Sequence, residues 1–233
     1  MHFWSVGLET YGVRVEDPVE ALRSEYGERL PIAFDLDVES TAPPMTFATG
    51  RLDATGAGDR RGASAARGFY EQVCAVHGEL HLGPSTSITI SGLGARGHSW
   101  GLPPWWIHYE GRAAFQLGEA LATGLMLPHP GGEPAGYLWS SEAGGRSVDE
   151  LVGEVHRDAD RIPVAARAVV DHTVDLDIDV VAAFPVSLDD LWAPGGPERG
   201  GHVVRCLCRV RSGEGAEGFG WAEWVRLPDG ARG

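Results

Sequence analysis

The chain has 233 residues, 43% of them hydrophobic and 22% charged, a composition that excludes disorder as the main state. Its formal charge is -14, from 33 acidic residues against 19 basic ones, which disfavours a nucleic-acid backbone or an anionic lipid surface as partner. Every basic residue is an arginine, so chemistry that needs a Schiff-base or phosphate-gripping lysine is excluded.

Read in chain order, the sequence predicts strands over 3–15 and over 33–39, where Ala33-Phe34-Asp35-Leu36-Asp37-Val38-Glu39 alternates apolar and acidic residues. Between them, 18–26 predicts a short helix with Asp17 as N-cap and Pro18 in the first helical position. Residues 56–66 are small, polar and basic and read as a loop. Strands follow over 69–82, 87–91, 105–117, 121–127, 135–140 and 151–157, with 111–125 the other stretch where a helix competes. Thr173-Val174-Asp175-Leu176-Asp177-Ile178-Asp179-Val180 alternates again. A Gly/Pro-rich loop over 193–201 leads to strands over 203–210 and 218–227, and 229–233 read as a frayed tail. About ten strands without helical crossovers imply an all-β antiparallel sheet, closed or folded over to remove its edges. Residues 1–228 read as one β-barrel domain.

No apolar run reaches the ~18 residues that a membrane-crossing helix needs, so no membrane insertion is expected. The first nine residues lack a basic flank followed by an apolar stretch, and the expectation is a cytoplasmic protein without signal peptide. Cys74, Cys206 and Cys208 form no disulfide framework and read as reduced, buried thiols; the latter two, two apart on a strand, share a face.

Eight tryptophans are the heaviest local investment. Trp100, Trp105 and Trp106 cluster with Tyr109, while Trp139 and Trp221 stand further on. These rings either fill a core or pave an apolar ligand cavity. Polar groups interleave the cluster at Gly92-Leu93-Gly94-Ala95-Arg96-Gly97-His98-Ser99-Trp100-Gly101, where strand alternation points Arg96, His98 and Trp100 to one face. Such a His either pins a bulge or shuttles a proton. At the start of an earlier strand, Tyr70 and Gln72 share one face and Glu71 takes the other. A buried Glu71 needs a cation, and Arg96 is the candidate partner. Metal is not expected: His77 and His81 sit ~13 Å apart on one strand face, and no HExxH or CxxC pattern occurs. Ser99 and His98 point to opposite faces, and no Gly-x-Ser-x-Gly elbow exists.

Phe69-Tyr70-Glu71-Gln72, followed by Gly-x-Gly-x-Arg-x-His-Ser-Trp-Gly over 92–101, resembles a lipocalin-like family related to carotenoid 1,2-hydratase (hydroxyneurosporene synthase) and AttH-like proteins. Gly218-Phe219-Gly220-Trp221-Ala222-Glu223-Trp224 is similar to that family's last strand. The likeness covers roughly 68–110 and 200–227. It implies a calycin-type antiparallel barrel enclosing an apolar cavity, with residues 1–40 as a remnant of a lost N-terminal half whose open edge invites a homodimer. Many members carry an acid before the His, where this chain has Gly97.

The resemblance further implies a hydrophobic polyene, isoprenoid or polyketide-like substrate and no cofactor. The first expectation is a cyclase or isomerase, including Diels–Alder-type ring closure. In it Arg96 and His98 donate hydrogen bonds, and Tyr70 and Gln72 orient the substrate. Trp100, Trp105, Trp106, Tyr109, Trp139 and Trp221 form the walls. The alternatives are a hydratase or dehydratase with Glu71 or Glu223 as acid, a non-catalytic carrier of the same ligand, and an interaction protein whose tryptophans form an exposed patch.

Overall fold

The computed structural model describes residues 3–17, 27–46, 68–118, 121–128, 135–187 and 201–226. The described residues form fourteen strands: β1 (Phe3–Val13), β2 (Arg29–Ser40), β3 (Met45–Thr46), β4 (Gly68–Leu82), β5 (Thr86–Trp100), β6 (Tyr109–Leu117), β7 (Leu121–Pro128), β8 (Ala135–Ser140), β9 (Gly144–Ser147), β10 (Leu151–Arg157), β11 (Pro163–Val170), β12 (Val174–Ser187), β13 (His202–Ser212) and β14 (Glu217–Arg226). Every pairing is antiparallel. Among the described residues no helix is long and apolar enough to cross a membrane.

Two sheets divide the chain. In the first, β4 pairs with β5 on one side and with β2 and then β3 on the other, and β1 closes the far edge against β2. The second runs in the order β10-β11-β12-β13-β14-β6-β7-β8-β9 and curls into half a barrel, the lipocalin-like architecture. Within the first forty residues, β1 and β2 extend the first sheet. The predicted helix over 18–26, the loop over 56–66 and all but Gly201 of the loop over 193–201 lie outside the described residues, whereas the other stretch where a helix competed holds the antiparallel strands β6 and β7.

Alternation builds the inside of the curled sheet. On β13, Val204, Cys206, Cys208 and Val210 are buried while Arg205, Leu207, Arg209 and Arg211 face outward. On β12, Leu176 and Ile178 point inward, and the intervening acids form an outer ladder with arginines of both neighbours: Arg167 to Asp175, and Arg211 to Asp179 at 3.2 Å. Phe115, Leu117, Ala166, Val170, Ala222 and Trp224 complete this core. It is filled, leaving about 40 Å³ of open space between β6, β7, β10 and β11. A bulge after Val180 shifts the register of β12, so that Ala183 packs on the core. Asp171 and His172 form the tight β11–β12 turn with φ of 48° and 56°; Asp171 fits the left-handed region because its carboxylate accepts from the Asp149 and Glu150 N–H groups, at 2.9 and 2.8 Å.

The first sheet lies on the outer face of the second near β6–β9. There Ala42 and Val73 meet Ala122 and Trp139 in a small second core. Cys74, Cys206 and Cys208 are free and buried, and the last two share the inner face as their spacing predicts.

Candidate active site

The β4–β5 register sets Tyr70 opposite His98, Gln72 opposite Arg96, Glu71 opposite Gly97 and Val73 opposite Ala95. Residues opposite one another in an antiparallel ladder share a face. The predicted catalytic residues are thereby split. Tyr70, Arg96 and His98 occupy the face turned away from the curled sheet. The Arg96 guanidinium stacks 4.3 Å from the Trp4 ring centroid and 5.2 Å from that of Tyr70, and the Tyr70 and His98 rings are 5.8 Å apart. His98 is exposed, and none of these three lines the cavity described below. Gln72 is buried, but its Nε2 donates to the Ala42 carbonyl at 2.8 Å, fastening the chain after β2 to β4.

The expected Arg96–Glu71 pair does not form, because the two side chains lie on opposite faces of one sheet. Glu71 points instead at the second sheet. It is 3% exposed, and Tyr137 Oη, itself 1% exposed, donates to its Oε2 at 3.3 Å. The neighbouring charges are Arg112 and Glu223. These belong to one ladder on the outer face of the curled sheet: Arg112 of β6 pairs with Glu223 of β14, which pairs with Arg205 of β13. Arg112 Nε donates to Glu223 Oε2 at 2.6 Å and Arg205 Nε to Oε1 at 2.7 Å, so both carboxylate oxygens of this buried residue are capped by cations. Arg112 also lies 5.0 Å over the Trp221 ring.

Burial dominates the titration of Glu71. Loss of water pushes its pKa from 4.5 up to about 7; Arg112 and the Tyr137 hydroxyl pull it back, and the Glu223 carboxylate pushes it further up. Burial, assisted by the Glu71 carboxyl, also lifts the Tyr137 phenol far above its ordinary range, keeping it a hydrogen-bond donor. The cluster thus holds one buried carboxyl poised to exchange a proton near neutral pH and one buried carboxylate fixed between two arginines.

Beside this cluster a cavity of about 390 Å³ opens between the two sheets. Val73 and residues 92–95 form one wall, and Ala114, Gln116, Leu207, Phe219 and Trp221 the other. Glu71 precedes Val73 by two residues on the same face of β4, about 6.7 Å along the strand, and stands next to the lining rather than in it. An open groove of about 600 Å³ adjoins the cavity at Leu207 and Trp221 and reaches Phe184, Arg205 and Glu223.

Of the predicted wall residues, Trp221 lines the cavity and the groove, and Glu223 lines the groove. Trp139 packs instead against the small core between the sheets. The side chains of Trp100 and Tyr109, and all of Trp105 and Trp106, lie outside the described residues. Sequence reasoning missed Arg112, Arg205, Tyr137 and Gln116. The only signal for the arginines is their position opposite the Glu of the β14 motif, which needs the strand order to be read.

The fold and the site define an all-β, lipocalin-like protein with a cavity between its sheets and a buried, protonatable carboxyl beside it. The chain belongs to a family known as a domain of unknown function, DUF7064, whose profile matches residues 1–228. Among solved structures it is similar to an AttH-like protein from Nitrosomonas europaea, at a TM-score of 0.56 and 12% identity over 85% of this chain and 65% of that one. It also aligns with kievitone hydratase from Nectria haematococca, at a TM-score of 0.42 and 10% identity over 84% of this chain and 61% of that one. The chain therefore spans less than two thirds of either structure's length, and at these identities the first likeness is one of fold alone. No curated protein sequence matches the chain.

Proposed function

We propose that the chain is a cofactor-independent lyase that adds water to, or removes it from, a hydrophobic small molecule held between the two sheets, with Glu71 as the acid. One observation carries this reading: a carboxyl that burial keeps protonated up to about pH 7, set next to an apolar cavity. In the dehydration direction the Glu71 carboxyl protonates a substrate hydroxyl and the C–O bond breaks. Water leaves, and the carboxylate then removes a proton from the neighbouring carbon to form the alkene. Hydration runs the same steps backwards. Tyr137 holds the carboxyl in place, and Trp221, its ring stacked against Arg112, forms an aromatic wall shared by the cavity and the groove. The Glu223 carboxylate, held by Arg112 and Arg205, keeps the local field from becoming so positive that Glu71 ionises. The same likeness of sequence motifs that led to a carotenoid-hydratase-related family favours isoprenoid, polyene or polyketide-like substrates. The free buried thiols suit a reducing compartment such as the cytoplasm.

An acid-free ring closure remains the competing reading, favoured by the almost wholly apolar lining of the cavity. Product mass separates the two. Purified protein is incubated with linear polyene and polyketide-type candidates across pH 5 to 9. The lyase reading expects a gain or loss of one water, a rate that falls as pH rises through about 7, and loss of turnover in Glu71→Gln with ligand-induced Trp quenching retained. A new isomer of unchanged mass, formed equally by Glu71→Gln, would replace the lyase with a cyclase. Quenching with only starting material recovered would leave a carrier.

A further inference from the structure

Among the described residues lining the cavity between the sheets, Gln116 carries the one side-chain oxygen, and the Trp221 indole N–H is the other side-chain polar group. Gln116 is 7% exposed, and its Oε1 has no hydrogen-bond partner and is buried out of contact with the open space, so a ligand meets it once the side chain turns toward the cavity. An amide oxygen in that state costs free energy comparable to a lost hydrogen bond unless something else supplies the donor. An apolar residue of the same size would fill the site without that cost.

The position of Gln116 on the ladder says what the donor belongs to. Along the outer face of β6 and β14, three cross-strand pairs follow one another: Gln116 with Phe219, Ala114 with Trp221, and Arg112 with Glu223. Four residues separate Gln116 from Arg112, about 13 Å at the rise of an extended strand. The floor is therefore apolar in the middle and polar at both ends, with the unpartnered amide oxygen at one end and the Glu71 cluster at the other.

We propose that Gln116 is the anchor of the substrate site: it accepts a hydrogen bond from a hydroxyl at one end of an elongated apolar ligand, whose far end, about 13 Å away, reaches the acid cluster. This rests on the reading of the cavity as the substrate site and adds the ligand's length and its polar terminus. A ligand with donors at neither end would leave Oε1 unsatisfied, and a much shorter one could not touch both ends at once.

Trp emission reads the binding, with 1-decanol and its methyl ether as probes, because the two differ by the one donor that matters. The alcohol should bind the wild-type chain roughly 3–10-fold more tightly than the ether. In Gln116→Met, close to isosteric, that preference should vanish while the ether's affinity holds, and Gln116→Asn, with a shorter amide, should retain part of it. Thermal melts of each variant confirm that it is folded. Equal affinity for alcohol and ether in the wild type, a preference that survives Gln116→Met, or no saturable binding of either probe would each overturn the proposal. The readout needs no turnover. A chain that shows the preference but converts no substrate keeps the anchor and loses the lyase reading. One whose turnover depends on Glu71 but shows no preference loses the anchor alone.

Discussion

Glu71 keeps its proton near neutrality because removal from water outweighs a cation and a hydroxyl that both favour the charge. The sign of its effect on stability follows. With its folded-state pKa raised from 4.5 to about 7, the protonated carboxyl is tolerated fully below 4.5, and stability is lost as pH climbs through 7. The loss amounts to about 3 kcal/mol, and urea midpoints at pH 5 and pH 8 should show it in the wild type and not in Glu71→Gln. A second residue tests the same balance. Glu223 raises the pKa of Glu71 and also engages Arg112, so Glu223→Gln should lower it by removing a like charge and freeing the guanidinium. That variant should also be destabilised by about 3 kcal/mol, since two arginines lose a buried partner, although Arg205, being half exposed, contributes little of it. Denaturant unfolding measures the loss. The two buried carboxyl residues stood out in the sequence, Glu71 in Phe-Tyr-Glu-Gln and Glu223 between two tryptophans. The cation of Glu71 did not, because Arg112 reaches it across two sheets and no local pattern encodes that approach.

Strands β2, β12 and β13 were readable because one face is wet: Asp35-Leu36-Asp37 and Arg205-Cys206-Leu207-Cys208 alternate with the pleat. Strand β11 was not, because Val-Ala-Ala-Arg-Ala packs small residues on both faces and shows no apolar period. The Gly-Phe-Gly of β14 has a mechanical reason. A Cβ at Gly220 would overlap the Ala114 carbonyl of β6, and one at Gly218 that of Gln116. Gly220→Ala should therefore force β14 away from β6, at a cost of about 1–3 kcal/mol, seen as a lowered melting temperature. It should also disturb the ladder carrying Trp221 and Glu223. On the inner face of β13, burial pushes the thiols of Cys206 and Cys208 up to about 12. Neither should react with iodoacetamide in the folded chain at pH 8, whereas both should react in urea; mass spectrometry counts the adducts.

At the scale of the whole molecule, the candidate chemistry exists only where the two sheets meet. Glu71 comes from the first and Tyr137, Arg112 and Glu223 from the second. The inside of the half-barrel is filled, while the ligand-sized space lies on its outer face, against β4 and β5. Alternation announced the strands, and the family resemblance implied an apolar cavity inside the barrel, whereas the space lies between the sheets; alternation gives each strand two faces and does not say which one the other sheet will cover. Among the described residues, Ala42, Val73, Ala122 and Trp139 form the apolar part of the contact between the sheets, beside the Tyr137–Glu71 hydrogen bond. Trp139→Ala should loosen the first sheet from the second, with cleavage of the N-terminal sheet in limited proteolysis before the curled sheet unfolds and a cost of about 2 kcal/mol. The most direct test of the account is the titration of Glu71 itself. Infrared difference spectra of the wild type and Glu71→Gln, followed from pH 4 to pH 9, isolate the carbonyl band of its protonated form. A band that disappears with a midpoint near 7, and near a lower pH in Glu223→Gln, is what the buried acid predicts. A midpoint in the ordinary carboxylate range near 4.5 would mean that water reaches Glu71 and that it is no acid at neutral pH.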